Sequence, residues 1–246
     1  MSSERMELLA AGAAQLGLSL SDGQLDQFET YFHELTDWNK RANLTAITSY
    51  EDVQVKHFLD SLTVCLTARE VLERSATVPT RVIDVGAGAG LPGLALKLAF
   101  PKIELALVES VAKKTAFLNH IVAHLGLEGV SVHTGRAEDL ARDKDLRDAF
   151  DLVVVRALAK LPLLLEFSLP FCKTGGRLIA LKHGGDWTEQ ESAANALAEL
   201  GGHIERVSTV VIEGLTDDRV VISIAKTKPT PARYPRTVGI PGKRPL

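Results

Sequence analysis

The residues with the clearest capacity for chemistry form a glycine-rich run that directly follows a β-branched segment. The run is Asp84-Val85-Gly86-Ala87-Gly88-Ala89-Gly90-Leu91-Pro92-Gly93. Glycine lets the backbone approach a ligand closely, and proline suits the first turn of a helix, so the run predicts a strand, a binding loop and a helix in that order. Because open α/β sheets bind ligands at the carboxyl ends of their strands, we expect a cofactor at this loop.

Two classes of cofactor fit the loop. The spacing of Gly88, Gly90 and Gly93 matches the fingerprint of enzymes that bind nicotinamide dinucleotides. The acidic Asp84 ahead of the glycines resembles instead the first motif of methyltransferases that use S-adenosylmethionine (SAM). Glu109 ends the next predicted strand, and a carboxylate there accepts hydrogen bonds from ribose hydroxyls in either class. A predicted antiparallel hairpin near the C-terminus favours the methyltransferase, and a nicotinamide-dependent oxidoreductase remains the alternative.

Basic side chains follow several of the predicted strands. Arg136, Arg156 and Lys182 lie at or just past strand ends, and Lys113 and Lys114 stand near the start of the helix after the second strand. If the sheet is parallel, these cations meet at the rim that carries the cofactor. Cations at a helix N-terminus oppose the helix dipole, which favours an anionic partner such as a nucleic-acid backbone.

The sequence offers no strong candidates for covalent or acid–base catalysis. His57 and Asp60 lie three residues apart on a predicted helix, and no nucleophile stands at triad spacing from them. Cys65 and Cys172 are far apart and form no CxxC pair, so we expect neither a disulfide nor a metal site, and Cys172 is interpreted as buried. Methyl transfer to guanine N7 would need no base, because that atom has a lone pair and no proton to lose.

The elements that position these residues change in character at Pro79. Residues 1–78 are predicted to be a helical extension, with a helix capped by Ser21 and a second amphipathic stretch from about Tyr50 to Leu72. Residues 79–227 alternate β-branched runs with helical segments, which predicts an α/β fold with a mainly parallel sheet covered on both faces. An antiparallel hairpin after Gly201 closes one edge. The predicted parallel strands are Arg81–Val85, Ile103–Glu109, Val130–Thr134, Asp151–Arg156 and Arg177–Lys182.

Composition limits the class of protein and isolates a basic C-terminal arm. The chain has 246 residues, of which 46% are apolar and 24% charged, and it contains neither a membrane-length apolar run nor a signal peptide, so we expect a cytoplasmic protein. No clear exposed apolar stripe suggests an oligomer, so we also expect a monomer. The net charge is −3, yet from Lys226 to Leu246 the chain has six basic and no acidic residues. The proline-rich arm, residues 228–246, suits either a polyanion or a strap folded over the sheet.

Taken in order, these motifs resemble the RsmG (GidB) family of bacterial 16S rRNA guanine-N7 methyltransferases, from about Leu20 to Leu246. Besides the glycine run, the matching segments are Trp38-Asn39-Lys40, Asn43-Leu44-Thr45, His57-x-x-Asp60-Ser61-Leu62, Lys113-Lys114-x-x-Phe117-Leu118, Gly135-Arg136-Ala137-Glu138, Arg156-Ala157 and Tyr234-Pro235-Arg236-x-x-Gly239-Ile240-Pro241-x-Lys243-x-Pro245-Leu246. Ala87 and Glu109 stand where many members have Ser or Thr and Asp, respectively, which leaves only the details of cofactor contacts open.

The resemblance implies a seven-stranded, Rossmann-like class I methyltransferase and methyl transfer from SAM to N7 of one guanine in the decoding-region loop of 16S rRNA. It also implies that the partner is 16S rRNA, the small ribosomal subunit or its assembly intermediate. Arg156 would lie where cofactor and substrate meet, and a non-catalytic rRNA-binding protein is a further alternative. The implied cofactor residues are Gly86, Gly88, Gly90, Leu91, Glu109, Ser110, Ala137, Glu138 and Arg156. The implied RNA-binding residues are Lys113, Lys114, Arg136, Lys182, Arg233, Arg236, Lys243 and Arg244. For the His57-x-x-Asp60 motif we expect a structural role that bonds helix to sheet.

Overall fold

Seven strands form one sheet in the computed structural model, which describes residues 5–74, 79–156, 159–183, 190–215 and 218–246. The strands are β1 (Arg81–Val85), β2 (Glu104–Glu109), β3 (Val130–Thr134), β4 (Phe150–Arg156), β5 (Cys172–His183), β6 (Gly202–Thr209) and β7 (Arg219–Lys226). They lie in the order β3-β2-β1-β4-β5-β7-β6. The first five in this order are parallel, whereas β7 runs antiparallel to both of its neighbours. The mainly parallel sheet and the closing hairpin are therefore confirmed.

The helices lie before, between and after the strands. They are α1 (Glu7–Gln15), α2 (Asp22–Ala42), α3 (Tyr50–Val53), α4 (Asp60–Leu62), α5 (Cys65–Arg74), α6 (Gly93–Ala99), α7 (Ala112–His124), α8 (Ala137–Leu140), α9 (Leu161–Ser168), α10 (Gln190–Leu200) and α11 (Ile240–Lys243), with a short 3-10 turn at Leu169–Phe171. The predicted stretch from about Tyr50 to Leu72 is divided, because a π-helical segment, Gln54–Leu59, joins α3 to α4. No helix in the described ranges is both long and apolar enough to cross a membrane.

The predicted cap of α2 is present. The Ser21 hydroxyl accepts a hydrogen bond from the Gln24 amide, and the Gln24 side chain accepts one from the Ser21 amide at 2.9 Å. The same Gln24 side chain donates to the Leu98 carbonyl at 2.7 Å, at the end of α6. This capping box therefore also attaches the N-terminal helices to the helix that follows the glycine run.

Alternating side chains of the central strands divide the core into two layers. Val82 of β1 and Leu152 of β4 pack with the N-terminal helices, α6 and α7 on one face of the sheet. Their neighbours Ile83 and Val153 pack with α9 and α10 on the other face. Both layers are apolar, as expected for parallel strands covered on two sides. The helices of residues 5–74 thus share one core with the sheet.

One strand begins earlier than the sequence indicates. β5 starts at Cys172 rather than Arg177, and the intervening Lys173-Thr174-Gly175-Gly176 is typical of a turn. Cys172 pairs with Phe150 of β4 before the register shifts, so the extension is fixed by the neighbouring strand rather than by local preference. The other four predicted parallel strands agree with the structure within one residue at each end.

The C-terminal arm folds back as a strap over α9 and α10. Arg236 donates to the carboxylate of Glu166 on α9 through its backbone amide (2.8 Å), Nε (2.9 Å) and Nη2 (2.6 Å). Arg147 donates to the carbonyl oxygens of Thr230 and Tyr234, at 2.8 and 2.9 Å. Of the two roles that the sequence left open, the strap is the one present in this structure.

Candidate active site

A cleft of about 280 Å³ opens at the carboxyl ends of β1, β2, β3 and β4. The strand order reverses between β1 and β4, and such switch points are where open α/β sheets bind ligands. The cleft is lined by Val85, Gly86, Gly88, Val108, Glu109, Ser110, Lys114, Gly135, Arg136, Ala137, Glu138, Arg156 and Phe167. Seven of the nine predicted cofactor residues are in this group.

The glycines of the loop serve two purposes. Gly86 and Gly88 line the cleft and have φ values of 77° and 59°, in the left-handed region that favours glycine. Gly90 and Gly93 face inward instead. A Cβ on Gly90 would lie 2.4 Å from Leu94 Cδ1, and one on Gly93 would lie 2.9 Å from Asp84 Oδ2. Gly93 therefore allows α6 to pack closely on β1 and β2, and Gly90 allows the loop to pack closely on Leu94 of α6 and Tyr31 of α2.

Two of the predicted cofactor residues are not among the residues that line the cleft. Leu91 is buried in the core beside α6, and Gly90 lies under the loop. The Leu91 and Gly90 amides both donate to the Ala87 carbonyl, at 3.1 and 2.7 Å, so the backbone of the loop forms a turn at these residues. Their position makes them supports of the loop's shape in this structure.

The Glu109 carboxylate is fixed from two directions. One oxygen accepts from the Gly88 amide at 3.0 Å and the other from the Val111 amide at 2.8 Å. Each carboxylate oxygen keeps a further acceptor site, because an ionised carboxylate has about four lone-pair positions. Glu109 thus ties the glycine loop to the end of β2 and still offers acceptors at the cleft.

Asp84 lies fully buried beneath the loop. Its Oδ2 accepts from the Gly93 amide at 2.8 Å, whereas Oδ1 has no hydrogen-bond partner among the described residues. Burial raises the pKa of Asp84 to about 7, and the nearby Arg156 cation opposes that increase. The Asp84 carboxyl group therefore stabilises the start of α6 through one hydrogen bond, and the loss of its own hydration offsets part of that gain.

Arg156 reaches the cleft while bonded to the N-terminal helices. Its Nη1 lies 3.0 Å from Asp60 Oδ2 and 3.4 Å from the His57 carbonyl oxygen. The second Asp60 oxygen pairs with Arg219 at 2.6 Å. Asp60 therefore joins the end of β4 to the start of β7, which confirms the expected helix-to-sheet role of the motif. The π-helical segment Gln54–Leu59 directly precedes Asp60, and such segments are frequent at functional sites.

His57 supports the same junction as a neutral ring. Its Nε2 lies 2.7 Å from the Thr45 hydroxyl, and its side chain is buried. Burial, together with the cations of Arg156 and Arg219, lowers the pKa of His57 to about 4. A ring that stays neutral at pH 7 positions the helix and Thr45, and it does not supply a proton.

The predicted cationic rim is only partly present. Lys114 and Arg136 line the cleft, and the exposed Lys113 neighbours Lys114 at the start of α7. Lys182 differs from the expectation, because it is buried and its ammonium donates to the Ala159 carbonyl at 2.8 Å. A lysine at a strand end can extend along the sheet to a backbone acceptor, and the strand pattern alone does not reveal this.

The arm cations proposed for RNA binding also fall into two groups: some are paired with carboxylates of the protein, and others are exposed to solvent. Arg236 pairs with the fully buried Glu166, and Arg233 pairs with Glu199 at the surface. Lys243 and Arg244 are exposed at the end of the arm. Two of the four arm cations proposed for RNA thus have protein carboxylates as partners. Ala157, which belongs to the motif after β4, lies outside the described residues.

Sequence reasoning did not identify four of the residues that line the cleft. They are Val85, Val108, Gly135 and Phe167. Gly135 was part of a quoted motif, but Phe167 lies in the apolar run Leu161–Ser168, where nothing distinguishes a cleft residue from a core residue. Val85 is the last residue of β1, and Val108 is the residue before the last in β2, so both lie at carboxyl ends of strands that were predicted correctly.

Comparison with known proteins agrees with this geometry. Residues 24–217 match the family model GidB, described as rRNA small subunit methyltransferase G. Ribosomal RNA small subunit methyltransferase G of Dehalococcoides mccartyi strain CBDB1 is 47% identical over 98% of this chain and 100% of its own length. The protein of the same name from Roseiflexus castenholzii is 46% identical over the same shares.

Solved structures share the fold. The crystal structure of a candidate O-methyltransferase from Klebsiella pneumoniae aligns over 80% of this chain and 90% of its own, with a TM-score of 0.54 and 15% identity. This likeness concerns the Rossmann-like methyltransferase architecture alone. By the family model and by relatives that match it over nearly its whole length, the chain belongs to the GidB family of rRNA small subunit methyltransferases.

Proposed function

We propose that this protein transfers a methyl group from SAM to N7 of a guanine in the decoding-region loop of 16S rRNA. The observation that carries the proposal is the cleft at the β1–β4 switch point, which the glycine loop, Glu109 and Arg156 line together. Glu109 is fixed by two backbone amides and Arg156 by Asp60, so both side chains are held in place before a ligand arrives. Preorganisation of this kind reduces the cost of binding.

The side chains at the cleft suit SAM. Glu109 would accept the ribose hydroxyls, and Ala137 and Glu138 would border the adenine, with Phe167 from α9 on the same cleft. Gly86 and Gly88 leave the backbone open to close approach, and a Cβ on Gly88 would meet nothing nearer than the Gly86 carbonyl oxygen, at 3.9 Å.

The nicotinamide alternative fits these residues less well. Dinucleotide folds present the amides of the glycine loop to a pyrophosphate, which has two negative charges. Here the Gly88 amide already donates to the Glu109 carboxylate, so it is not free to donate to a phosphate oxygen. The second glycine of a dinucleotide fingerprint lets the backbone approach the pyrophosphate, whereas Gly90 at that position packs against Leu94 and Tyr31. We therefore favour SAM.

The chemistry that we propose needs positioning rather than acid–base catalysis. SAM supplies an electrophilic methyl group on a sulfonium, and guanine N7 has a lone pair without a proton. The protein would bind the ribose of SAM through Glu109 and hold Arg156 where SAM and the RNA meet. It would also exclude water from the space between the methyl group and guanine N7. Alignment of this kind can lower a barrier by about 7–11 kcal/mol.

We propose that Lys113, Lys114 and Arg136 contact phosphates of the RNA, together with Lys243 and Arg244 at the end of the arm. The first three lie at or beside the cleft, and Lys113 and Arg136 are exposed. The internal bonds of Lys182, Arg233 and Arg236 suggest structural roles for these three cations. The substrate would be the small ribosomal subunit or an assembly intermediate in the cytoplasm.

Methyl transfer to small subunits tests the proposal. The full chain would be incubated with methyl-labelled SAM and small subunits from cells that lack their own enzyme, and label in the RNA would be counted. We expect label with the wild type and with Glu128→Gln, an exposed acid remote from the cleft. Glu109→Gln should lose both SAM affinity and transfer, because an amide cannot accept from both backbone amides and the ribose.

Two outcomes would replace the proposal. If NADH but not S-adenosylhomocysteine raises the melting temperature, the oxidoreductase alternative is favoured. If the protein binds the RNA but transfers no label at any SAM concentration, it is a non-catalytic rRNA-binding protein. Binding of the RNA by Glu109→Gln, measured in parallel, separates loss of catalysis from loss of folding.

A further inference from the structure

Helices α2 and α7 bring together one carboxylate and two imidazoles that the proposed reaction does not use. Glu34 lies on α2, and His120 and His124 lie one turn apart on α7. His120 Nε2 is 2.6 Å from Glu34 Oε2, and His124 Nε2 is 3.7 Å from Glu34 Oε1. One ligand atom from each residue lies within 4.8 Å of the other two. We propose that this Glu-His-His cluster binds one divalent transition-metal ion, of which Zn²⁺ is the representative.

The donor set decides the class of metal. Two imidazole nitrogens and a carboxylate oxygen suit zinc, nickel or copper, whereas magnesium and calcium prefer sites built from oxygen. Zinc lies about 2.0–2.1 Å from such nitrogen and oxygen ligands in a tetrahedral arrangement, which places neighbouring ligand atoms a little over 3 Å apart. The observed separations bracket that value, so small side-chain rotations suffice. Water would take the fourth position.

The geometry of the two helices favours a shared ligand set. Residues i and i+4 of a helix lie on one face, so the two histidines point together toward α2. The His120 ring is further held by contacts with two rings: its centroid lies 5.0 Å from that of Trp38, in a tilted arrangement, and 5.5 Å from that of His124, in a stacked one. Glu34 and His120 are half-buried, which limits their motion, whereas the exposed His124 leaves the metal a path from solvent.

A metal here would act on structure and not on methyl transfer. The cluster lies in the second half of α7, while Lys113 and Lys114 at the start of that helix are the residues beside the cleft. By coordinating side chains of both helices, the ion would link α2 of the N-terminal region to α7, the helix that follows β2. Because the ligand atoms come together only in the folded chain, binding would raise stability.

Zinc titration of the untagged, metal-free full chain tests the proposal. Calorimetry should show one Zn²⁺ per chain, no binding of Mg²⁺, and an increase in melting temperature with Zn²⁺. His120→Ala and His124→Ala should each lose the Zn²⁺ site. The control is His203→Ala, which removes an exposed histidine two residues from Glu205 on β6 and should leave the titration unchanged.

Two further measurements distinguish this site from simpler ones. Glu34→Gln should weaken Zn²⁺ binding, and unchanged affinity would overturn the three-ligand site in favour of a histidine pair alone. Trp187→Phe leaves Trp38 as the single tryptophan of the chain. Ni²⁺, which quenches fluorescence at short range, should then quench Trp38 saturably, and His120→Ala should abolish this quenching. Absence of saturable Zn²⁺ binding would mean that the chain has no such metal site. Zn²⁺ binding without quenching of Trp38 by Ni²⁺ would mean that the metal binds at another site.

Discussion

The carboxylate of Asp60 holds the guanidinium of Arg156 at the wall of the cleft, with 3.0 Å between Oδ2 and Nη1. The same carboxylate pairs with Arg219 at 2.6 Å, and both Asp60 and Arg219 are buried. One acid from the N-terminal helices is thus the shared anion of two cations, at the end of β4 and the start of β7. Breaking a buried ion pair leaves an uncompensated charge, so the three side chains depend on one another.

Asp60→Asn should destabilise the fold and loosen Arg156. Loss of the charge removes a buried anion that both Arg156 and Arg219 contact, and we expect the free energy of unfolding to fall by about 3–5 kcal/mol. Urea denaturation at pH 7 measures this change, and titration with SAM should show weaker binding in the variant. Both effects follow from the same broken pair.

Asp52→Asn is the matched control for Asp60→Asn. Asp52 pairs with Lys56 at 2.8 Å, on the same segment but with both side chains exposed to solvent. Exposed pairs contribute about 0.2–1 kcal/mol, so this variant should retain stability and SAM affinity. Equal losses in the two variants would mean that Asp60 acts only as an ordinary helix residue.

The strap offers a second comparison between a buried and an exposed pair. Arg236→Ala removes the two side-chain hydrogen bonds, from Nε and Nη2, that the Glu166 carboxylate accepts, and leaves only the bond from the backbone amide; this carboxylate has no exposed surface. We expect a loss of about 3–5 kcal/mol in the free energy of unfolding. Arg233→Ala removes the exposed pair with Glu199 and should cost at most about 1 kcal/mol. Similar, small losses in the free energy of unfolding of both variants would mean that the strap does not stabilise the fold.

The pH dependence of stability should report the buried His57. Its pKa is about 4 in the folded chain against 6.5 as the ordinary value, so the unfolded chain takes up a proton in this range and the folded chain does not. The free energy of unfolding should therefore fall as the pH drops from 6.5 to 4, by as much as about 3 kcal/mol from this residue.

His57→Gln isolates that contribution. Asp84 acts in the opposite sense, because its raised pKa of about 7 favours the folded state as the pH falls, but it is common to both proteins. The stability difference, wild type minus His57→Gln, should therefore shrink between pH 6.5 and 4 in urea denaturation. A difference that stays constant across this range would show that His57 titrates normally.

Lys113 should contribute to the affinity for RNA and to the dependence of that affinity on salt concentration. If Lys113 contacts a phosphate, Lys113→Ala should weaken binding to small-subunit RNA and reduce the slope of log affinity against log salt by about 1. Lys102→Ala removes an exposed lysine just before β2, at the opposite end of the strands, and should change neither quantity. Filter binding at several KCl concentrations measures both variants, and identical slopes would remove Lys113 from the RNA interface.

Most of the fold was predictable because its signals are local. Buried parallel strands such as β4 are continuous apolar runs, and Ser21 with Gln24 caps α2 through residues three apart. The start of β5 was not predictable, since Gly175 and Gly176 favour a turn and only pairing with β4 extends the strand. The π-helical segment at Gln54–Leu59 likewise has partners far away in the sequence, since Gln54 accepts from the Leu9 amide and the His57 carbonyl accepts from Arg156.

The candidate site was predictable where the chain itself places residues at strand ends. Gly86, Glu109 and Arg136 follow directly from the order of strand and loop. The burial of Lys182 and the pairing of Arg236 with Glu166 depend on partners 23 and 70 residues away, and no spacing rule indicates them. The same limit applies to Glu34 and His120, which lie 86 residues apart.

The identity of the methylated atom tests the central claim most directly. RNA labelled by the wild-type protein from methyl-labelled SAM would be digested to nucleosides and separated. The account predicts that the label is found in 7-methylguanosine, and that Glu109→Gln gives none while Glu128→Gln gives the wild-type amount. Label in any other nucleoside would contradict transfer to guanine N7, even though the family and the fold would stand.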